Sequence, residues 1–347
     1  AEVTINGQKI PYSATTGFQP VFNDDMEPIA TLNYTYYKRT DIKDDSRRPL
    51  MISFNGGPGS ASVWMHLAYT GPKVLRIDDE GFPIQPYGVK DNPHSILDVA
   101  DIVFVNPVNT GYSRILDEEA DRKQFFGVNQ DIAYLAEWIN LFMTRVNRWR
   151  SPKYLIGESY GTTRVSGLAL ALQSRQWMYI NGVILVSPTE LGVHTSERRR
   201  DGPLGASLRL PYFTAAAWYH NKLPSDLQSK DLLEILPLAE EYAVNELMPV
   251  LAKGGFVSDE EREQAAEMMA RYSGISKKVI LQHNLDVPPS FFWKELLRDE
   301  GHTVGRLDSR YKGLDRTDAG SSPDLTLSLH PGCIPLLPPS ITTLRII

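Results

Sequence analysis

Gly157-Glu158-Ser159-Tyr160-Gly161 sets a serine between two glycines in the G-x-S-x-G spacing of a serine nucleophile. The chemistry open to such a serine is acyl transfer, in which its oxygen attacks a carbonyl and holds the acyl group as an ester. The pentapeptide follows a strand-like run, Lys153–Ile156, and precedes a helix-like one, Val165–Leu172. That context predicts a sharp strand-to-helix corner. Ser159 would then project at the carboxyl end of a strand, over a helix N-terminus that favours developing negative charge. The plainer alternative is a small-residue turn that only packs tightly.

A second turn, Asn55-Gly56-Gly57-Pro58-Gly59-Ser60, also follows a strand-like run. In this chemistry such a turn supplies one backbone N–H to an oxyanion, and the residue after the nucleophile supplies the other. This assigns the two donors to Gly57 and Tyr160. The turn has neither the Gly-Lys-Ser/Thr of a Walker loop nor the dinucleotide-binding spacing. A third loop, Asn106–Ser113 (NPVNTGYS), begins where another strand-like run stops. Three loops at the carboxyl ends of strands make a binding crevice.

Strands must position these loops. Thr31–Lys38 has strand-like density of β-branched and aromatic residues, and Pro49–Phe54, Ile102–Val105, Tyr154–Ile156 and Val183–Val186 are short apolar runs. Continuous runs of this kind predict central strands covered on both faces. Before Tyr154, a helix is predicted with Asn129 as N-cap and Ile132, Leu135, Trp138 or Ile139, Phe142, Met143 and Val146 recurring at three- and four-residue spacing. Strand, helix, strand in this order favours a mostly parallel α/β sheet.

From Thr189 to Gly301 the texture turns helical, and Val183–Val186 is the last clear strand before it. Pro237 is expected to interrupt the stretch Leu227–Leu251. Ser258 with Glu261 has capping-box spacing at the head of Ser258–Tyr272. The Glu197–Arg200 run reads as a solvated face. From about Ser321 the tail shows no helix period and carries four prolines from Pro331 to Pro339. The expected organisation is a core over 1–188 with the nucleophile corner, a helical cap insertion over 189–301, and a return segment with an atypical tail over 302–347.

Composition narrows the function classes. At 347 residues, with 42% hydrophobic and 22% charged, the chain is ordinary globular material. A net charge of -6 leaves no excess of cations for a nucleic-acid footprint. No apolar run approaches the roughly 18 residues of a membrane span. The only cysteine, Cys333, excludes an internal disulfide and a cysteine-based zinc cluster. No metal or organic cofactor is expected, and nothing in the sequence sets an oligomeric state. The chain opens Ala1-Glu2-Val3 without a methionine, which is expected of a mature or trimmed start. A removed leader would favour a periplasmic or secreted location.

The three loops, in this order, resemble the serine carboxypeptidase family of α/β hydrolases. The matching stretches are Phe54–Trp64 (FNGGPGSASVW), Asn106–Ser113 and Gly157–Arg164 (GESYGTTR), flanked by Gly71-Pro72 and Ser151-Pro152-Lys153. TAAAWYHNKLP and Val304–Arg310 (VGRLDSR) look like the bacterial branch. The resemblance implies that Ser159 is the nucleophile and that Gly57 and Tyr160 are the oxyanion donors. It makes Asn55 and Glu158, with Gly56 in the same loop, the grip on a substrate's C-terminal carboxylate. Two carboxylates at hydrogen-bond distance cannot both be ionised, so Glu158 would hold a proton and acidic pH would favour activity. The implied function is hydrolysis of C-terminal peptide bonds of a peptide or protein substrate.

The family's acid and its Gly-His base, both late in the chain, are not matched here. His194, His220 and His283 read as surface or packing residues. His302, His330, Asp308 and Asp324 stand in the right chain order with little local support. The chain is expected to be a truncated or altered member after about residue 320. The alternatives are an esterase or acyltransferase of the same fold, or an inactive, triad-incomplete chain that binds peptides.

Overall fold

Asn6-Gly7 joins the first two strands, with both residues at positive φ, 49° and 78°, as a type I′ hairpin turn requires. The computed structural model describes residues 1–78, 83–116, 121–188, 202–306, 308–315 and 317–321. The chain divides into two compact units, Ala1–Arg76 with Gln85–Val193, and Ile77–Ile84 with His194–Ile347.

In the first unit, β1 (Glu2–Ile5) and β2 (Gln8–Phe22) form the hairpin and β3 (Pro28–Arg39) returns along β2. Next come β4 (Leu50–Phe54) and a small separate pair, β5 (Lys73–Leu75) with β6 (Val89–Asp91). β7 (Asp101–Val105), the short β8 (Arg114–Ile115), β9 (Lys153–Glu158) and β10 (Gly182–Val186) complete the sheet. Its order is β1-β2-β3-β7-β4-β9-β10, with β8 also on β3. β1 to β3 are antiparallel neighbours and β3 meets β7 antiparallel, while β7, β4, β9 and β10 run parallel. The parallel strands therefore deliver Phe54, Val105 and Glu158 to the same edge.

Alternation along these strands fills two cores. Ile52, Phe54, Val103, Val105 and Leu155 face one, shared with α1 (Val128–Arg145) and α2 (Tyr160–Gln176). Met51, Ile102, Phe104 and Ile156 face the other, with Val3, Ile5 and Ile10 from the hairpin. On α1, Trp138 stacks on Phe142 at 5.1 Å, and Tyr34 of β3 meets both rings edge-on. The N-cap of α1 is Gly127, whose carbonyl takes the Asp131 N–H at 2.8 Å, so Asn129 lies inside the first turn and is not the cap.

Covering on both faces holds for β4 and β7, whose residues are all buried. It fails for β10. This strand pairs with β9 alone among the described residues, and Val183, Ile184 and Leu185 are 38%, 42% and 38% exposed. A run of apolar residues fits an outer strand as readily as a central one, because periodicity does not report neighbours.

A buried charge cluster ties the opposite, amino-terminal edge of the parallel strands. Asp101 accepts from Arg48 Nε at 2.7 Å and from Arg148 Nη1 at 2.5 Å. Arg148 also donates to the Arg48 carbonyl, the Tyr36 hydroxyl and Ser151 Oγ. On the second core, the His66 imidazole stacks on Phe104 at 4.5 Å and pairs with the Tyr37 hydroxyl at 2.7 Å. Burial lowers its pKa from 6.5 to about 4.

The second unit is helical: α3 (Gly202–Leu208), α4 (Leu210–Tyr219), α5 (Ser225–Gln228), α6 (Leu232–Tyr242), α7 (Met248–Ala252), α8 (Asp259–Ser273), α9 (Lys277–Gln282) and α10 (Pro289–Glu295). A short antiparallel pair, β11 (His302–Val304) and β12 (Lys312–Leu314), follows. The core of this unit stacks Phe213 on Phe292 at 3.9 Å. The capping box of α8 forms as expected, with Ser258 Oγ accepting the Glu261 N–H and Glu261 accepting the Ser258 N–H. Pro237 does not interrupt its helix: it lies inside α6. The N–H it lacks would have served the carbonyl of Leu233, and that residue is 78% exposed, so water can take its place.

Two measurements follow from these packings. Asp101→Ala strands two buried guanidinium groups and should remove about 3–5 kcal/mol from urea unfolding. The folded His66 ring resists the proton that the unfolded chain accepts below 6.5. Stability should therefore fall as pH drops from about 6.5 to about 4, by on the order of 2–3 kcal/mol from this group. His66→Gln should flatten the profile in that window, measured as the difference between the two proteins' urea midpoints.

Candidate active site

Ser159 is the corner between β9 and α2, at φ 56° and ψ -127°. A non-glycine residue at positive φ costs about 1–3 kcal/mol and persists only when its surroundings fix it. Here the Ser159 N–H donates to the Val186 carbonyl at 3.0 Å, while its own carbonyl accepts from Thr162 N at 2.9 Å and Thr162 Oγ1 at 2.7 Å. Gly157 makes room for the corner: a Cβ there would lie 2.1 Å from the Gly161 carbonyl oxygen. The sequence-predicted bend between strand and helix is thus present.

The Asn55–Ser60 loop lies directly against this corner. A Cβ on Gly56 would fall 2.5 Å from Tyr160 N, 2.7 Å from the Glu158 carbonyl oxygen and 2.9 Å from Ser159 Cβ. Tyr160 is the first residue of α2, so its N–H has no intrahelical acceptor. The Gly56 carbonyl accepts from Ser60 N at 3.2 Å. Among the described residues the Gly57 N–H has no protein acceptor either.

Asn55 is fully buried and its amide is oriented by two partners. Oδ1 accepts from Met65 N at 3.0 Å, and Nδ2 donates to Glu158 Oε2 at 3.1 Å. One amide proton of Asn55 is left over. Glu158 and Ser159 are partly exposed, so the pair has access to solvent. The third loop joins through Ser62, whose N–H donates to Asn106 Oδ1 at 2.9 Å. Asn106 in turn donates to Asn33 Oδ1 at 2.9 Å, and Ser113 Oγ donates to the Asn106 carbonyl at 2.7 Å. All six residues singled out from the sequence, Asn55, Gly56, Gly57, Glu158, Ser159 and Tyr160, therefore belong to one edge of one sheet.

Two residues at this edge escaped the sequence reading. Arg164 and Asp131 form a buried ion pair, Nε to Oδ2 at 2.8 Å, linking α2 to α1. The guanidinium lies over the rings of Phe54 and Tyr160. Burial first, and the Asp131 charge second, raise the Tyr160 phenol above its usual range. The available signal was a charged residue on the inward side of each helix.

The candidate bases and acids separate as follows. His194, His330 and Asp324 lie outside the described residues. In the helical unit, His220 Nε2 is within 2.6 Å of the Ser309 carbonyl, His283 Nδ1 within 2.9 Å of Val279 O and His302 Nδ1 within 2.7 Å of Glu300 O. Asp308 pairs with Arg310. The histidines of the serine-bearing unit are His66 and His94, and neither is hydrogen-bonded to Ser159. Among the described residues no group of three or more His, Cys, Asp or Glu could hold a metal ion, and no helix is long and apolar enough to cross a membrane.

Comparison with known proteins places this geometry. A family model for serine carboxypeptidases matches residues 8–187, more than half of the chain. The chain is 27% identical over 171 residues to serine carboxypeptidase-like 36 of Arabidopsis thaliana, covering 47% of this chain and 33% of that protein. It is 30% identical over 152 residues to the pheromone-processing carboxypeptidase kex1 of Aspergillus niger, covering 44% and 23%. A solved structure of Kex1(delta)p, a prohormone-processing carboxypeptidase from Saccharomyces cerevisiae, aligns at 19% identity over 76% of this chain and 53% of that one, with TM-score 0.43. The matches to those two curated relatives take in about a third of their length or less. The strand order, the corner at Ser159 and the family match agree on an α/β-hydrolase sheet, and the chain belongs to the serine carboxypeptidase family.

Proposed function

We propose that this protein is a serine-type carboxypeptidase that cleaves C-terminal peptide bonds through an acyl-enzyme on Ser159. The observation that carries the reading is the Asn55–Glu158 pair, with a buried amide fixed against a carboxyl group one residue before the serine. A free substrate carboxylate fits there. The spare amide proton of Asn55 donates one hydrogen bond and a protonated Glu158 donates the second. The scissile carbonyl then faces Ser159. Ser159 Oγ bonds to the carbonyl carbon, and its proton would pass to the family's general base, a late histidine for which no described residue at the site stands in. The oxyanion is met by the N–H groups of Gly57 and Tyr160. Collapse of the tetrahedral species breaks the C–N bond, the amine leaves with a proton, and water hydrolyses the ester. The stretch 189–301, helical from Gly202 where it is described, is part of the same proposal, as a cap insertion between the core over 1–188 and the return segment over 302–347.

A fluorophosphonate probe should label the wild-type protein at Ser159, and Ser159→Ala should abolish labelling. A folded sample that takes no label would favour the inactive, peptide-binding alternative. A blocked peptide with a free C-terminus should turn over roughly 30- to 150-fold better than its amide, the worth of about 2–3 kcal/mol of charge-assisted hydrogen bonding. Equal rates, or a preference for simple esters, would point to the esterase or acyltransferase alternative. Peptide hydrolysis should be fastest at acidic pH, and Glu158→Gln, which donates without needing a proton, should carry activity towards neutral pH. Gly56→Ala should lower kcat by about 10²-fold or more, because its methyl group would displace the Tyr160 amide.

A further inference from the structure

We propose that Arg164, held by Asp131, is a positioning residue that sets the direction of the oxyanion-loop amides. This rests on the reading of Gly57 and Tyr160 as oxyanion donors.

The guanidinium is buried at 1% exposure. It donates from Nη1 to the Asn55 carbonyl at 2.7 Å and from Nη2 to the Pro58 carbonyl at 3.4 Å. Those two carbonyls bracket Gly56 and Gly57. Of the two carbonyls between them, that of Gly56 is taken by Ser60 N. In a planar trans peptide the N–H points away from the carbonyl, so fixing the Gly56 carbonyl fixes the Gly57 N–H in the opposite sense. Arg164 fixes the two flanking peptides, Asn55–Gly56 and Pro58–Gly59, in the same manner, and so holds the Gly57 amide from both sides. The loop is glycine-rich and would otherwise have many backbone directions open to it.

The third donor of Arg164, Nε, bonds to Asp131 Oδ2. Asp131 Oδ1 accepts from the Tyr134 hydroxyl at 3.0 Å, and the hydroxyl oxygen accepts from Val108 N at 3.2 Å. One buried hydrogen-bonded path thus runs from the Asn106–Ser113 loop through α1 and α2 to the Asn55–Ser60 loop. Both loops are referred to the same two helices, and α2 begins at the second oxyanion donor. A lysine at position 164 offers one compact ammonium group and cannot reproduce the planar fork that reaches three acceptors.

The test compares wild type with Arg164→Lys and Tyr134→Phe by steady-state peptidase kinetics and by amide hydrogen exchange of residues 56–60. Arg164→Lys should lower kcat about 10²-fold with KM changed less than about threefold, and loop exchange should accelerate. Tyr134→Phe removes a single buried oxygen and keeps the fold. It should lower kcat several-fold, again without a matching change in KM, and it decides the matter if Arg164→Lys does not fold. A folded variant of either kind with wild-type kcat and wild-type loop protection overturns the proposal. So does a crystal structure of Arg164→Lys whose Asn55, Gly56 and Pro58 carbonyls keep their directions. A wild-type protein that neither labels nor cleaves would sink the carboxypeptidase reading alone. The exchange and crystallographic results would still decide the role of Arg164.

Discussion

The space between Gly56 and the first amide of α2 is too small for a single methyl group. That close approach of two backbones is the constraint on which the site depends. It requires the ends of β4 and β9 to stop level with each other, and their parallel register, with Phe54 opposite Gly157, does this. It also requires a strained serine to stay put, which the bonds from Ser159 to Val186 and Thr162 achieve. Given those conditions, the first amide of α2 lies against the Asn55–Ser60 loop, next to the partly exposed Ser159. Preorganised donors of this kind stabilise developing negative charge without moving.

Both edges of the parallel sheet are tied by buried ions rather than by apolar packing alone. At the amino ends Asp101 collects Arg48 and Arg148, and at the carboxyl ends Asp131 holds Arg164. Buried pairs of this kind add little net stability, because taking the charges out of water costs about as much as their attraction returns. Their value here is geometric. Each guanidinium also donates to backbone carbonyls, Leu97 for Arg48, Arg48 for Arg148, and Asn55 with Pro58 for Arg164. Loops that carry no regular hydrogen bonding of their own thereby acquire a fixed direction.

In the proposed function, Asn55 and Glu158 turn this architecture towards one class of substrate. An oxyanion site alone would serve esters, amides and thioesters alike. A carboxamide whose oxygen is already occupied by Met65 N presents only donors, and a carboxyl group beside it can donate only when protonated. In the proposed reading the pair selects an anion and links its recognition to a proton on the carboxyl group. That coupling comes from the location of two side chains, not from the family fold, which hosts many reactions.

Local signals were legible in the sequence because they act within a few residues. The corner at Ser159, the glycine turn after β4 and the capping box at Ser258 each need only their own neighbours. The Asn6-Gly7 turn is a local signal of the same kind, although β2 after it holds Pro11, Gly17 and Pro20, which are unusual within a strand. Other features depend on partners far apart in the chain. Asp131 meets Arg164 across 33 residues, and Asp101 meets Arg148 across 47 and Arg48 across 53. The exposure of β10 and the tolerance of Pro237 likewise depend on what does or does not pack nearby. A sequence fixes backbone preferences and apolar periods through short-range sterics and hydration. Burial, and the pairing of buried charge, arise only when distant segments meet and exclude water.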